Sequence, residues 1–466
     1  MRFQIVGHAC LEVAAQGKRL VVDPWLSGSL YWGSWWHCPE PKPGPETLKP
    51  DFVYITHWHF DHLHRESLVR FDRSCHVLLP KFPVSWLPEQ LRSLGFSRVT
   101  EIEHGRPFEM APGFTITSHQ IQYQDDSLCV IEADGTVLVD LNDSKPLPRT
   151  WKKLRRRYPR VDFMLRSHSQ AWSYPSAYTF EDPADAIPVD QQSYLKAFCS
   201  AAAVLKPRHA IPFASSVCHL HEEVLAENDH LSTAWDLERY WFAHPVPGTE
   251  LVRMPHGSSW SAEKGFEIAE DEVGRDVRAY VARLRVEKRS ELEALYARER
   301  EGRVAFADFE AFFRRFLRRT FFLRPFLDVR WLVVVEQEGR IDRWLLDFRK
   351  GRIESLAAEP QGVTSRIRVH PAVLSEALRE GVFTNIDHAK RWKVHVGRGG
   401  TIPHFLLWVL VAVFEAGCFE PRNVLRWRFV SGWARRRSEI LDYLALTRVI
   451  LREDKSAAAE AVTEPL

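Results

Sequence analysis

The stretch that decides the fold is Phe52-Val53-Tyr54-Ile55-Thr56-His57-Trp58-His59-Phe60-Asp61-His62. Its first four residues are apolar and predict a buried strand. The histidines begin where this strand stops, which is where α/β sheets usually place their chemistry. Because side chains two residues apart in an extended segment point the same way, His57 and His59 can bind one metal ion. Asp61 and His62 come after the turn, where they can face a second ion.

The order and spacing T-H-x-H-x-D-H resemble the signature of the metallo-β-lactamase superfamily. The resemblance implies an α/β fold, the metallo-β-lactamase αββα sandwich, which in this chain would be followed by a C-terminal α+β domain. It also implies a binuclear metal centre. His64 falls just outside the pattern and is expected to face solvent or to contact a ligand residue.

The same resemblance implies the remaining metal ligands. The family takes a third histidine from a later strand end, a bridging aspartate after the next hairpin and a final histidine near the end of the domain. In this chain those places are filled by His119, Asp143 and His221, and His219 is a rival for the last one. The first metal would be held by His57, His59 and His119, and the second by Asp61, His62 and His221, with Asp143 bridging them.

Other residues are expected around the metals. The opening segment predicts a β-hairpin that ends at Asp23-Pro24, and in the family this aspartate lies near the metals; the alternative is an aspartate that only forms the turn. Residues 25–38 are rich in aromatic side chains, which either form one wall of a substrate pocket or pin the loop to the domain. The candidates for contact with a ligand residue or with substrate are Asp23, His8, His168, Trp25, Trp35 and Trp36.

Composition argues against several other classes of protein. The 466 residues carry a formal net charge of +2, so nothing indicates bulk binding of nucleic acid. The seven cysteines include no C-x-x-C pair, which argues against a disulfide framework and predicts a cytoplasmic protein with reduced thiols. Charged residues near the start argue against a signal peptide. The longest apolar run, residues 405–414, is too short for a transmembrane helix, which needs about 20 residues.

The chain length predicts two or three domains. We expect a catalytic domain over residues 1–265, a helical connector over 266–325, an α+β domain over 326–452 and a disordered tail over 453–466. The α+β domain weakly resembles sterol-carrier-like modules, which hold apolar chains. Within the connector, phenylalanines recur at helical spacing from Phe306 to Phe316 with arginines between them. This stripe predicts a core-facing helix with a charged outer face, and a helix lying on a membrane surface is the alternative.

A closer resemblance is to the metallo-β-lactamase portion of CMP-N-acetylneuraminate hydroxylases. It rests on Gly7-His8-Ala9-Cys10, Asp23-Pro24-Trp25-Leu26, Leu141-Asn142-Asp143 and residues 205–221, and it covers about residues 1–265. The hydroxylases carry a Rieske iron–sulfur module, which is held by a C-x-H element paired with a C-x-x-H element. This chain lacks that pair because it has no C-x-H element. Hydroxylase activity therefore does not carry over directly, since the electrons would have to come from a separate protein.

Three functions follow from these residues. The first is a hydrolase in which two divalent metal ions activate water against an ester, amide, lactone or phosphoester, with Asp61 as the catalytic partner of that water. Nitrogen and oxygen ligands suit zinc, iron or manganese. The second is a diiron, oxygen-dependent hydroxylase with a separate redox partner. The third is a lipid-binding protein with a structural metal. The first two act on a small-molecule substrate, and the sequence sets no oligomeric state.

Overall fold

The computed structural model describes residues 1–121, 126–190, 192–436, 439, 441 and 442. The predicted tail over 453–466 lies outside these residues, as does the last part of the domain predicted to end at 452.

Two large sheets form the N-terminal part of the chain. The first has eight strands, which in chain order are Arg2–Ile5, Leu11–Ala15, Lys18–Val22, Phe52–Tyr54, His76–Pro80, Arg98–Ile102, Ser259–Ser261 and Gly265–Glu267. The second has seven, which are Pro107–Ala111, Phe114–Ile121, Asp126–Ala133, Thr136–Asn142, Phe163–Arg166, His209–Pro212 and Glu250–Leu251. A small two-stranded sheet pairs Trp36–His37 with Val217–Cys218.

The two large sheets pack face to face around one apolar core. Phe3, Leu20 and Tyr54 of the first sheet belong to the same buried cluster as Ile116 and Ile131 of the second. The outer face of each sheet carries a cluster of its own, which includes residues from the covering helices. A helical layer on each side of two packed sheets is the αββα arrangement. The predicted fold class is therefore confirmed.

Parallel strands bring the candidate site to one edge of the sandwich. Lys18–Val22 and Phe52–Tyr54 run parallel in the first sheet, and Thr136–Asn142 begins a set of parallel strands in the second. Because parallel strands share a direction, the segments that follow them leave their sheet at the same edge. The histidine motif follows Phe52–Tyr54, and Asp143 follows the strand in the second sheet.

The C-terminal part of the chain has a six-stranded sheet of its own. Its strands in chain order are Tyr178–Phe180, Arg330–Gln337, Arg340–Asp347, Arg352–Ser355, Ser365–Val369 and Trp392–Val396. Tyr178–Phe180 pairs in parallel with Trp392–Val396. One strand of this sheet therefore comes from before the predicted boundary at residue 265. The proposed sterol-carrier-like character of this part stays a prediction.

Helices cover the three sheets. The α-helices are Arg65–Leu68, Leu87–Ser93, Pro148–Arg157, Ser193–Leu205, Ala234–Ala243, Val277–Glu287, Arg289–Glu301, Phe306–Arg319, Pro371–Glu380, Asn385–Ala389, Thr401–Glu415, Pro421–Val424 and Trp427–Arg435. The 3₁₀ helices are Pro45–Thr47, Pro183–Asp185, Glu222–His230 and Phe321–Phe326.

The phenylalanine stripe of the connector faces a core. Phe309, Phe313 and Phe316 are fully buried on the helix Phe306–Arg319, and they belong to the apolar cluster of the C-terminal part. The arginines between them are exposed. The prediction of a core-facing helix is therefore confirmed. Among the described residues, no helix combines the length and the apolar character that crossing a membrane requires.

A buried ion network joins three parts of the chain. Glu299, on the connector helix Arg289–Glu301, accepts a hydrogen bond from Nη2 of Arg391 at 3.0 Å and lies 3.0 Å from Nε2 of His221. Arg391 also donates to Glu223 at 2.8 Å. Burial acts to raise the pKa of Glu299, but the bonds from His221 and Arg391 lower it to about 2. The network ties the connector to both flanking regions.

We predict that Glu299→Gln lowers the free energy of unfolding by about 3 kcal/mol at neutral pH, because the buried Arg391 loses one of its two carboxylate partners and keeps only Glu223, which is more exposed. The pKa of Glu299 lies below its ordinary value of 4.5, so its contribution is complete above that pH and is lost as the pH falls toward about 2. Urea denaturation at a series of pH values should show that the difference in the free energy of unfolding between wild type and variant decreases as the pH falls over this range.

The control is Glu287→Gln, which breaks an exposed pair with Arg283 at 3.7 Å on the preceding helix. It should change the free energy of unfolding by less than about 0.5 kcal/mol. A deficit in Glu299→Gln that does not vary with pH would contradict the ionic role of Glu299.

Candidate metal centre

Asp23 anchors the histidine motif. Its carboxylate is buried and accepts hydrogen bonds from the backbone N–H of Thr56 at 2.8 Å and from the Thr56 hydroxyl at 2.6 Å. Its Oδ2 also lies 2.7 Å from Nδ1 of His62. A carboxylate on Nδ1 fixes the orientation of an imidazole and leaves Nε2 available for a metal. The structure thus places Asp23 beside a predicted ligand.

Nε2 of His62 and Oδ1 of Asp143 are buried and lie 3.6 Å apart, and neither makes a hydrogen bond of standard geometry among the described residues, although Nε2 of His62 lies 3.2 Å from Oδ2 of Asp61. One ligand atom each from His57, His62 and Asp143 lie within 4.8 Å of one another. Buried polar atoms are rarely left without a partner. A divalent cation would satisfy all three side chains, so this set of donors fits a metal ion.

Strained backbone surrounds the cluster. Asp23, Asn142 and Ala214 have positive φ angles of 45°, 43° and 46°. This left-handed conformation costs a residue other than glycine about 1–3 kcal/mol, and it concentrates at functional sites. Oδ1 of Asn142 accepts a hydrogen bond from the N–H of Asp143 at 2.6 Å. The strained turn therefore holds Asp143 at the edge where His62 lies.

His57 and His59 lie together, as the alternation of an extended segment predicts. Nε2 of His57 is 2.8 Å from Nδ1 of His59, and Nδ1 of His57 is 3.0 Å from the Thr56 hydroxyl. Burial lowers the pKa of His57 to about 3, and the charge of His62 adds to the effect. Burial also lowers the pKa of His59 well below its usual value. Both imidazoles are neutral at pH 7, which is the form that binds metals.

Asp61 lies among three polar side chains. The Tyr31 hydroxyl donates to Oδ1 of Asp61 at 2.7 Å, and Oδ2 lies 3.3 Å from Nε2 of His8 and 3.2 Å from Nε2 of His62. Burial acts to raise the pKa of Asp61, but the charge of His62 and the bonds from His62 and His8 hold it well below the usual value. Asp61 is therefore an ionised carboxylate beside the candidate ligands, and the structure places His8 next to it.

His119 does not reach the cluster. Side chains alternate along the strand Phe114–Ile121, so His119 shares a face with Ile121, which packs in the cluster beneath the outer helices. Its Nε2 lies 2.9 Å from the hydroxyl of Tyr158. The predicted position of His119 as a ligand of the first metal is therefore not met, because the strand turns it to the outer face of the second sheet.

His221 is also turned away from the cluster. It caps the 3₁₀ helix Glu222–His230, where its Nδ1 accepts a hydrogen bond from the N–H of Glu223 at 3.2 Å. Its Nε2 belongs to the ion network with Glu299. The predicted position of His221 as the last metal ligand is not met, because the domain interface occupies both ring nitrogens.

His219, the other candidate for the last metal ligand, does not take the place of His221. Nδ1 of His219 lies 2.9 Å from the carbonyl oxygen of Ser34. The pair Cys218 and His221 has the C-x-x-H spacing found in Rieske modules. Cys218, however, packs in an apolar cluster with Cys38, and His221 faces the ion network. These residues therefore form no joint cluster of metal donors.

Two further histidines are buried away from the metal donors. His64 is buried rather than facing solvent, and its Nδ1 lies 2.7 Å from the Ser67 hydroxyl. Burial lowers the pKa of His168 to about 4, and its backbone N–H donates to the Ser215 hydroxyl at 3.0 Å. His168 does not line the cavity at the metal donors, although the residues on either side of it do.

The tryptophans divide between the two predicted roles. Trp25 is buried and stacks on His37 with ring centroids 3.8 Å apart. Trp36 packs in the cluster of the small two-stranded sheet. Trp35 alone of the three lines the cavity at the metal donors. The loop is therefore pinned by Trp25 and Trp36, while Trp35 borders the cavity.

Sequence reasoning missed two residues at the site. Oδ1 of Asp126, the first residue of a strand, lies 3.6 Å from Nδ1 of His57. The ring of His388 lies 4.9 Å from that of His59 and stacks on Tyr31 at 5.6 Å. The position of Asp126 at the end of a hairpin that faces the motif was a usable signal. No sequence signal indicated His388, because it belongs to the C-terminal part of the chain.

His57, His59, Asp61 and Asp143 line a cavity of about 320 Å³, and His62 is not part of its lining. Both halves of the chain line it. The polar lining includes His8, His57, His59, Asp61, Asp126, Asp143, Lys145, Asp387 and His388, and the apolar lining includes Trp35, Trp172, Trp408, Val409, Ala412, Val413 and Ala416.

We predict that His62→Ala loses bound metal and that His119→Ala keeps the wild-type metal content. His62 supplies one of the three ligand atoms that lie within 4.8 Å of one another, whereas His119 bonds to Tyr158 on another face. Elemental analysis after dialysis measures both. Full metal content in His62→Ala, or loss of metal in His119→Ala, would contradict the placement of the centre.

Comparison with known proteins finds matches to part of this chain. Residues 2–127 match the model of the beta-lactamase superfamily domain. A Mycobacterium tuberculosis protein assigned as a Rieske 2Fe-2S iron–sulfur protein is 27% identical over 190 residues, which are 38% of this chain and 36% of that protein. The cytidine monophosphate-N-acetylneuraminic acid hydroxylase of Pongo pygmaeus is 23% identical over 314 residues, which are 58% of this chain and 53% of the hydroxylase. The chain thus matches between about a third and a half of these relatives' length.

Among solved structures, an isothiocyanate hydrolase from Delia radicum gut bacteria has a TM-score of 0.42 at 15% identity, and the match covers 56% of this chain and 98% of that one. CmlA, a diiron β-hydroxylase from Streptomyces venezuelae, has a TM-score of 0.39 at 19% identity, covering 55% and 53%. The family model over residues 2–127 and the hydroxylase relatives confirm the predicted resemblance to the metallo-β-lactamase superfamily.

Proposed function

We propose that this protein is a metal-dependent hydrolase whose N-terminal part holds two divalent metal ions, zinc or iron, with manganese also suitable. The observation that carries the proposal is the group of ligand atoms from His57, His62 and Asp143 that lie within 4.8 Å of one another, with His57 and Asp143 lining a cavity. The residues that would hold the metals are His57, His59, Asp61, His62 and Asp143, and Asp126 lines the same cavity as a further oxygen donor.

Two bound divalent cations would lower the pKa of a water molecule and polarise the carbonyl or phosphoryl oxygen of an ester, amide, lactone or phosphoester. The side chains around them have separate tasks. Asp61, held by Tyr31 and His8, is the carboxylate placed to accept a proton from the attacking water. Asp23 keeps His62 in one orientation through its bond to Nδ1.

Lys145 gives the cavity a positive charge beyond the metal donors. Its Nζ lies 3.2 Å from the Tyr194 hydroxyl and 5.8 Å from the centre of the Trp172 ring. No acidic partner of Lys145 is found among the described residues. We therefore assign Lys145 to binding a polar or anionic part of the substrate.

A diiron, oxygen-dependent hydroxylase is the second candidate, and the named hydroxylase relatives favour it. The same nitrogen and oxygen donors suit iron. Electrons would then come from a separate redox partner. Hydrolysis is preferred because water activation at this cluster needs no co-reactant. A lipid-binding protein with a structural metal is less well supported, because structural zinc sites are usually closed and rich in thiolates, whereas these donors face a cavity.

The first experiment determines the metal and the reaction together. Protein expressed with iron supplementation is analysed for metal content and by Mössbauer spectroscopy, and then assayed against esters, amides, lactones and phosphoesters. We expect a binuclear centre and hydrolysis of at least one class. Iron with substrate-dependent oxygen consumption, once a reductase is supplied, would overturn hydrolysis in favour of the second candidate.

We also predict that His59→Ala loses metal and activity together, whereas Asp61→Asn keeps at least one metal and loses kcat by at least about a hundredfold. The asparagine retains a ligand oxygen but cannot accept the proton. Metal content and steady-state kinetics are measured on the same samples. Unchanged kcat in Asp61→Asn would contradict its proton-accepting role.

A further inference from the structure

The helix Thr401–Glu415 has two apolar faces. It carries no Asp, Glu, Lys or Arg before Glu415. One face, with Leu407, Val411 and Phe414, is buried in the core of the C-terminal part. A helix that is apolar all round is normally buried all round. We therefore expect the second face to pack against another apolar group.

The second face looks into the cavity that holds the metal donors. It consists of Trp408, Val409, Ala412, Val413 and Ala416, whose spacing places them on one stripe of the helix. We call these five residues the apolar wall. None of the five is fully buried, and Val409 is 39% exposed. In the described part of the chain, these side chains border open cavity and leave apolar surface uncovered.

The apolar wall is held rigidly. The ring of Trp408 lies 4.8 Å from that of Trp392 and 6.0 Å from that of Phe383. Beside it, Ala412 and Ala416 are too small to fill the cavity. Rigid aromatic support next to small side chains leaves space of fixed shape, as in pockets that are formed before a ligand binds.

The cavity is therefore amphipathic. Metal donors such as His57 and Asp143 line it together with the apolar wall and Trp172. A volume of about 320 Å³ lies at the lower end of the range for small-molecule pockets. A compound that satisfies both surfaces needs a group that binds a metal and an apolar group attached to it.

We propose that the substrate is an amphiphile, in which the hydrolysable group lies at the metal donors and an aliphatic chain or apolar ring packs on the apolar wall of the C-terminal helix. The inference rests on the proposed metal centre. It assigns substrate selection to the C-terminal part of the chain, which the metal motif does not reach.

The test uses two metal-binding probes that share a head group, acetohydroxamate and octanohydroxamate, titrated calorimetrically into the zinc-loaded full chain. Burial of the longer chain should make octanohydroxamate bind at least tenfold more tightly. Ala412→Phe fills the space beside the wall, so it should weaken binding of octanohydroxamate at least tenfold more than binding of acetohydroxamate and thereby remove this preference. The matched control is Leu406→Phe on the same helix, where Leu406 is 47% exposed and does not line the cavity.

Val409→Asn is a second variant that tests the same wall if Ala412→Phe fails to fold, because an exposed residue tolerates a polar side chain. It should reduce the preference for octanohydroxamate at least threefold with an unchanged melting temperature. Equal binding of both probes to wild type, or an equal preference in Ala412→Phe and Leu406→Phe, would overturn the amphiphile proposal and leave the metal centre intact. Absence of acetohydroxamate binding would instead overturn the metal centre and this proposal with it.

Discussion

The bond between the buried carboxylate of Asp23 and Nδ1 of His62 is the interaction on which the site depends. Asp23 also accepts two hydrogen bonds from Thr56, the residue that begins the histidine motif. One side chain thus fixes where the motif leaves its strand and which nitrogen of His62 faces Asp61 and Asp143. The positive φ of Asp23 is part of this arrangement, since the turn places the carboxylate beneath the motif. Deeply buried acceptors of this kind are stable only when their partners are complete.

The second sheet supplies the complementary group. Asp143 follows a strand whose last residue, Asn142, is strained and holds the backbone of Asp143. The two sheets therefore bring Nε2 of His62 and Oδ1 of Asp143 within 3.6 Å of each other. A bound cation would bring together the free energy of metal binding and that of packing the two sheets.

The C-terminal part completes this site rather than standing apart from it. The carbonyl oxygen of His388 accepts a hydrogen bond from the indole of Trp35 at 2.8 Å, which ties a cavity-lining side chain to the other half of the chain. The ion network of His221, Glu299 and Arg391 holds the same two halves through the connector. Substrate access and metal binding therefore depend on an interface that the metal motif does not encode.

The sequence predicted the site where the information was local. His57, His59 and His62 lie within one turn after a strand, so their spacing alone brings them together. Asp143 was predicted from the resemblance to the superfamily, and its strand, which belongs to a parallel set, brings it to the same edge as the motif. His119 was misplaced because alternation along a strand decides its face, and the motif does not reveal the register. His221 was misplaced because its partner Glu299 lies on a distant helix. His388 and the apolar wall reach the cavity through long-range packing, which a short sequence motif cannot predict.

The most direct test of the metal centre is a crystal structure of the metal-loaded protein with anomalous diffraction at the absorption edge of the bound metal. The account predicts two anomalous peaks about 3.5–4 Å apart, within bonding distance of His57, His59, Asp61, His62 and Asp143. A peak bound by His119 or by His221, with none at His62 and Asp143, would contradict it.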